Sequence, residues 1–133
     1  MIVTDTNIIA YLLLEGKYTA KAKAALRKDS DWIAPLLWKS EFRNVLALYM
    51  RKKLMDISHV RNIMEEAEHL MQGGEYSIQS SEIFLLVESS GCTAYDCEYI
   101  ALAKEFNIPL ITTDKKLSGD IVIHKIGTIT QEV

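Results

Sequence analysis

Met1-Ile2-Val3-Thr4-Asp5-Thr6-Asn7, followed at once by the apolar run Ile8 to Leu14, is the stretch on which the fold turns. A short β-branched run, small polar residues and a longer apolar run predict strand, turn and helix. In a parallel sheet, residues at the carboxyl end of a strand line the crevice where ligands bind. Asp5 is expected at that edge, with Thr6 and Asn7 beside it. Asp5 and Thr6 are also residue types that cap a helix, and taken alone the stretch favours the cap.

The rest of the chain repeats the pattern. A helix is predicted from Ala20 to Lys28, capped by Thr19, then a brief strand at Trp32-Ile33-Ala34. Pro35 suits a helix start and Ser40 offers a second N-cap, giving a helix from about Ser40 to Leu54. Phe42, Val45, Leu46, Tyr49 and Met50 form its apolar stripe, and Glu41 stands in its first turn. A helix from His59 to Gln72 ends at Gly73-Gly74, and Tyr76-Ser77-Ile78 reads as a strand. Ser80 or Ser81 caps a helix closed by Gly91. Thr93-Ala94-Tyr95-Asp96 has capping-box spacing ahead of a helix to Phe106. Leu110-Ile111-Thr112-Thr113-Asp114 is a second apolar run ending on a carboxylate, and Ile121-Val122-Ile123 is a last strand. Strands of near-continuous apolar character separated by helices indicate a parallel sheet covered on both faces.

A chain of 133 residues with 49% hydrophobic and 25% charged content reads as one soluble globular domain, 1–133. The longest apolar run is too short for a bilayer span, no secretory leader is visible, and Cys92 and Cys97 form neither a disulfide framework nor a zinc pair. A cytoplasmic location is therefore expected. The net charge of −3 hides an asymmetry: residues 1–61 carry 11 Lys/Arg against 6 Asp/Glu, and residues 62–133 carry 4 against 12. The basic half could face phosphate backbones or form solvated helix faces.

Asp5 and Asp114 each follow an apolar strand and a threonine, so both should emerge at one sheet edge. Glu41 and Asp96 are expected in first turns of helices that begin at that edge. Four carboxylates from four elements would thus converge. Each has a helix-start reading of its own, because acids favour the first turn, but their like topological positions favour a joint site. Crowded carboxylates oppose one another's ionisation, and a divalent cation resolves the conflict. Mg²⁺ and Mn²⁺ take oxygen ligands and suit phosphodiester hydrolysis without a His, Cys or Lys nucleophile.

Four segments in this order resemble the PIN domain, in its VapC-like branch. They are Asp5-Thr6-Asn7, Ser40-Glu41-Phe42-Arg43-Asn44-Val45, Tyr95 through Ala103, and Leu110-Ile111-Thr112-Thr113-Asp114-Lys115-Lys116-Leu117. The resemblance covers essentially the whole chain. It implies a three-layer α/β/α sandwich with a mainly parallel central sheet, and a Mg²⁺- or Mn²⁺-dependent endoribonuclease. It also implies a VapB-like antitoxin partner and a homodimer. The family's acidic residues match Asp5, Glu41, Asp96 and Asp114, as catalytic residues and metal ligands. Asn7 and Thr113 match its supporting polar positions.

Other candidates are weaker. Asp120 precedes the last strand and belongs at the opposite edge. His59, His69 and His124 lack ligand spacing. Cys97 reads as a small buried residue. Trp32, Trp38 and Tyr49 could stack on bases, though core packing is their commoner use, and Arg43 could contact RNA phosphate. Besides the toxin ribonuclease, a solitary RNA-processing nuclease and a non-catalytic RNA-binding domain of the same fold are compatible with the sequence. A phosphatase of the haloacid dehalogenase type needs a second Asp two residues after the first, where this chain has Asn7.

Overall fold

The computed structural model describes residues 1–112 and the strand backbone of 123–125. The elements are β1 (Ile2–Thr4), α1 (Thr6–Leu13), α2 (Thr19–Lys28), β2 (Trp32–Pro35), α3 (Leu37–Arg51) and α4 (Ile57–Met71). Then come β3 (Glu75–Tyr76), α5 (Ser80–Ser90), α6 (Ala94–Phe106), β4 (Leu110–Thr112) and β5 (Ile123–Lys125). The strands lie in the order β3-β2-β1-β4-β5, every neighbouring pair parallel. On the far side of the sheet from α6, α1 packs on α2, α3 and α4; α5 packs on α6, which crosses β1, β2 and β4. The three-layer α/β/α sandwich expected from the sequence is the observed architecture.

The order of strands explains the layering. From β1 the chain steps outward to β2 and then β3, and returns past β1 to add β4 and β5 on the other side. Parallel crossovers are right-handed, so reversing the direction of travel moves the covering helices to the opposite face. The reversal occurs between β1 and β4, and ligands in open α/β sheets bind outside the carboxyl ends of the strands at such a switch. Registers Val3↔Leu110 and Thr4↔Ile111 bring the two strand ends level.

The core follows from side-chain spacing. Trp38, Phe42 and Leu46, at i, i+4 and i+8 of α3, are fully buried, with Ile8 and Ile9 of α1 and Leu102 of α6 among the other large buried residues. Full burial of each such side chain stabilises by about 1.5–3 kcal/mol. Trp38 also donates from Nε1 to Glu75 Oε2 at 2.8 Å, tying α3 to β3. Gly74 must be glycine: a Cβ there would stand 2.5 Å from the carbonyl oxygen of Trp32. That close approach lets β3 pair with β2, Ala34 N donating to Gly74 O at 2.9 Å.

Several boundaries differ from expectation. Pro35 closes β2 and α3 begins at Leu37, so Ser40 is inside the helix and Glu41 lies beyond its first turn. Proline's fixed φ suits the end of a strand whose N–H is not needed, and the helix forms directly after it. Thr19 does not cap α2. Its hydroxyl accepts from Gly16 N and donates to Leu14 O, bracing the α1–α2 turn. Helix α5 follows Gln79 without a side-chain cap. The last strand is described over Ile123–Lys125 and shares Ile123 with the expected one, whose Ile121 and Val122 lie outside the described residues. Among the described residues no helix is long and apolar enough to cross a membrane.

Candidate active site

Asp5 caps α1 and stands at the sheet edge where the sequence places it. One carboxylate oxygen caps α1, accepting from Ile8 N at 3.1 Å. The other accepts from the hydroxyl of Thr112, the last residue of β4. The backbone N–H of Asp5 donates to Ile111 O at 3.3 Å. Helix cap and sheet-edge position therefore fall on one residue, pinned across the switch between β1 and β4. Only 7% exposed, Asp5 has its pKa raised to about 6. Burial is the main cause and the charge of Glu41 adds to it, while hydrogen bonds from Thr112, Ile8 and Asn7 oppose the rise.

Glu41 reaches the same edge from α3 and is held from two elements. Thr6 Oγ1, in the first residue of α1, donates to Glu41 Oε1 at 2.8 Å. Tyr99 Oη, on α6, donates to the same oxygen at 2.5 Å. The two hydroxyls lie 2.8 Å apart. Three short contacts thus share two hydroxyl protons, a small network centred on one carboxylate oxygen. Tyr99 is buried, and burial first, then Glu41, push its pKa far above the usual phenol range. It stays protonated and remains a donor.

Asp96 stands in the first turn of α6, as expected, half-buried. The cap there is Thr93, whose Oγ1 accepts from Asp96 N at 3.1 Å. Glu98, two residues on, is half-buried, and its pKa is raised by burial first and then by the charge of Glu41. Asn7 is exposed in the first turn of α1, and Arg43 is exposed on α3 two residues after Glu41. Thr113, Asp114 and Asp120 lie outside the described residues.

The sequence sets Thr6 beside Asp5 at this edge but assigns it no contact with Glu41, and it does not single out Tyr99 or Thr112. Among the weaker candidates that the structure describes, Tyr49 is half-buried and the others follow the commoner expectation. Trp32 and Trp38 are buried, Cys97 is buried with its thiol pKa raised by burial, and His59 and His69 are exposed.

The sequence and fold have known counterparts. The profile of the PIN domain family matches residues 2–119. The chain belongs to the PIN domain family. It is 26% identical over 120 residues to Ribonuclease VapC3 of Pyrobaculum aerophilum, a match spanning 88% of this chain and 92% of that protein. Among solved structures, PAE2754 from Pyrobaculum aerophilum superposes with a TM-score of 0.75 at 16% identity, covering 98% of this chain and 87% of that one. A toxin-antitoxin complex from Klebsiella pneumoniae gives 0.71 at 18% identity, covering 95% and 98%.

The donor chemistry of this PIN domain fits a hard divalent cation. Asp5, Glu41 and Asp96 offer carboxylate oxygens, without thiolate or imidazole. Among the described residues, the hydrogen bonds that favour the charged form of Asp5 come from the Thr112 hydroxyl and the backbone amides of Ile8 and Asn7. Among the described residues, no three His, Cys, Asp or Glu side chains converge enough to hold an ion, and the fourth expected acid, Asp114, is not one of those residues.

Proposed function

We propose that this PIN domain is a Mg²⁺- or Mn²⁺-dependent endoribonuclease of the VapC toxin type. The observation that carries the reading is the paired arrangement of Asp5 and Glu41 at the β1–β4 switch. Each is oriented by buried hydroxyls, Asp5 by Thr112 and Glu41 by Thr6 and Tyr99. The family match and the likeness to Ribonuclease VapC3 support the same reading.

Asp5, Glu41 and Asp96, with Asp114, would hold the cation. When bound, it would supply charge neutralisation at the scissile phosphate and activation of water. The chain's own residues provide the positioning. Ile8 N–H and Thr112 occupy both oxygens of Asp5 and fix the plane of its carboxylate. Thr6 and Tyr99 both donate to Oε1 of Glu41 and hold its carboxylate from α1 and α6. Asn7 and Thr113 are the supporting polar residues, and Arg43, exposed beside the crevice, serves as an RNA phosphate contact.

The partners follow from the same reading. A VapB-like antitoxin would lay its C-terminal segment across the acidic crevice, supported by the fold shared with the Klebsiella pneumoniae toxin-antitoxin complex. A homodimer is supported by Leu48, Met50, Leu54 and Ile57, large apolar residues of α3, α4 and the turn between them that stay exposed. Light scattering giving a monomer at every workable concentration would refute the dimer.

The test is RNA cleavage by purified, antitoxin-free protein. Cleavage with Mg²⁺ or Mn²⁺, abolished by EDTA and leaving 5′-phosphate and 3′-hydroxyl ends, is expected. Full activity in EDTA, or 2′,3′-cyclic phosphate products, would rule out the mechanism. RNA binding without cleavage in Mn²⁺ would assign the chain to the non-catalytic reading.

A further inference from the structure

Beside the acidic crevice lies a cavity of about 260 Å³ whose walls include Asn7 and Tyr11 of α1, Lys17 and Tyr18 of the α1–α2 turn, and Val45 and Tyr49 of α3. Its position follows from helix periodicity. Asn7, Tyr11 and Leu14 share one face of α1, and Glu41, Val45 and Tyr49 share one face of α3 at i, i+4 and i+8. Two stripes therefore run from the candidate active site to the cavity. Along α3, the distance from Glu41 to Tyr49 is eight residues, about 12 Å at 1.5 Å per residue.

The lining has an unusual chemistry for a surface recess. Tyr11 and Tyr18 pack with ring centroids 4.9 Å apart. Lys17 and Lys21 hold their ammonium groups 5.4 and 5.9 Å from the centre of the Tyr18 ring, cation–π contacts that fix both charges at the rim. The lining itself holds one acid, Glu15, and one lysine, Lys17; Lys21 stands outside it, over the Tyr18 ring. Tyr49 is half-buried, so part of its ring remains accessible, whereas Trp32 and Trp38 are sealed in the core. Of the three aromatic residues the sequence offered for base stacking, Tyr49 alone is available.

We propose that this cavity is a nucleotide subsite for single-stranded RNA. Tyr49 stacks on a base flanking the scissile phosphate, and Lys17 and Lys21 contact the adjoining backbone phosphates. The inference rests on the ribonuclease reading for its place in catalysis, but it makes its own claim about binding. Positive charge beside an accessible aromatic face is the combination that single-stranded nucleic acids select, and the stripe from Glu41 supplies the path that a strand entering the crevice would follow.

The test is fluorescence anisotropy with a labelled oligouridylate heptamer in EDTA, where cleavage is not expected. Tyr49→Leu should weaken binding about 5- to 100-fold, the range for loss of one stacked base, and Tyr49→Phe should restore it, because stacking needs the ring rather than the hydroxyl. An abasic residue at one position of the probe should weaken wild-type binding and leave Tyr49→Leu binding unaffected. Should Tyr49→Leu fail to fold, the surface pair Lys17→Ser/Lys21→Ser carries the test. Its salt slope should fall by about 0.7 for each phosphate that is no longer neutralised.

Wild-type affinity and salt slope in the leucine and serine variants would overturn the proposal and leave the cavity to a protein segment. Absence of RNA binding by the wild type would overturn it too. Cleavage in Mn²⁺ judges the ribonuclease reading separately. Active enzyme with unaffected variants sinks the subsite alone, and Tyr49-dependent binding without cleavage sinks the nuclease alone.

Discussion

Tyr99→Phe removes one oxygen and should be felt in both stability and turnover. The deleted hydroxyl is buried and donates to Glu41 Oε1 at 2.5 Å, with Thr6 Oγ1 2.8 Å away. A hydrogen bond to a charged group contributes about 1.5–3 kcal/mol. Glu41 is half-buried and keeps its bond from Thr6, so the expected loss is at the lower end, about 1–2 kcal/mol. For a domain of this size that lowers Tm by about 3–6 °C. The functional effect should be larger. With one donor left, the Glu41 carboxylate can rotate, and a misplacement of about 1 Å in a catalytic group costs about 10²-fold. We expect kcat with Mn²⁺ to fall by about 10- to 100-fold while KM for RNA stays within about twofold. The Mn²⁺-induced rise in Tm should shrink as well, since ligand stabilisation follows affinity. Thr6→Val closes a double-mutant cycle. Because two protons serve three short oxygen–oxygen approaches, the pair should be non-additive by about 0.5 kcal/mol or more. Additive stabilities, or a Tyr99→Phe enzyme with wild-type kcat and Tm, would refute the network.

Three further outcomes are expected. Asp5 binds its proton more tightly folded than unfolded, its pKa being raised from 3.8 to about 6. The metal-free protein should therefore lose up to about 3 kcal/mol relative to Asp5→Asn as pH rises from about 4 through 6, and parallel pH–stability curves for the two proteins would refute this. Asp96→Asn, melted in EDTA, should shift little, because Thr93 supplies the cap of α6, and its Mg²⁺ upshift should shrink; a drop of several degrees in EDTA with the upshift and nuclease activity retained would make Asp96 purely structural. Gly74→Ala should destabilise by about 1–3 kcal/mol or more, since the new Cβ meets the Trp32 carbonyl at 2.5 Å, and a wild-type denaturation midpoint would show that the β2–β3 approach is looser than described.

The sequence was most legible where one physical rule acted alone. Strand-turn-helix at Met1–Leu14 and the parallel sheet followed from apolar runs broken by small polar residues. The α3 stripe was read correctly through Phe42 and Leu46, but its start was placed too late. Ser40 looks like a cap and Pro35 like a helix opener, and only the pairing of Pro35 with Tyr76 in the sheet decides between them. The site was legible in its charges and illegible in its hydroxyls. Carboxylates stand out as charges in need of compensation, whereas Thr6, Thr112 and Tyr99 belong to types that routinely serve caps, strands and cores. Two local clues existed. Thr6 adjoins Asp5, and Tyr99 follows Asp96 by three residues on the same helix face. Neither spacing reveals that Tyr99 meets Glu41, 58 positions earlier in the chain, because that meeting depends on α3 and α6 reaching the sheet edge from opposite layers.

Asp5 shows why helix cap and site acid need not compete. A cap requires an oxygen at the N-terminus of α1, and the sheet places that terminus directly after β1, at the switch with β4. The requirement that α1 begin there thus puts a carboxylate at the ligand-binding edge before any function is considered. What converts a cap into a reactive group is the second oxygen. In an ordinary surface cap it faces water, and its pKa stays low. Here it is turned into the protein against Thr112, and burial outweighs the three hydrogen bonds that favour the charge. The strain of that buried charge is free energy that a cation would relieve, so on the proposed metal-dependent reading the geometry that costs the metal-free protein stability above pH 6 would favour a divalent ion.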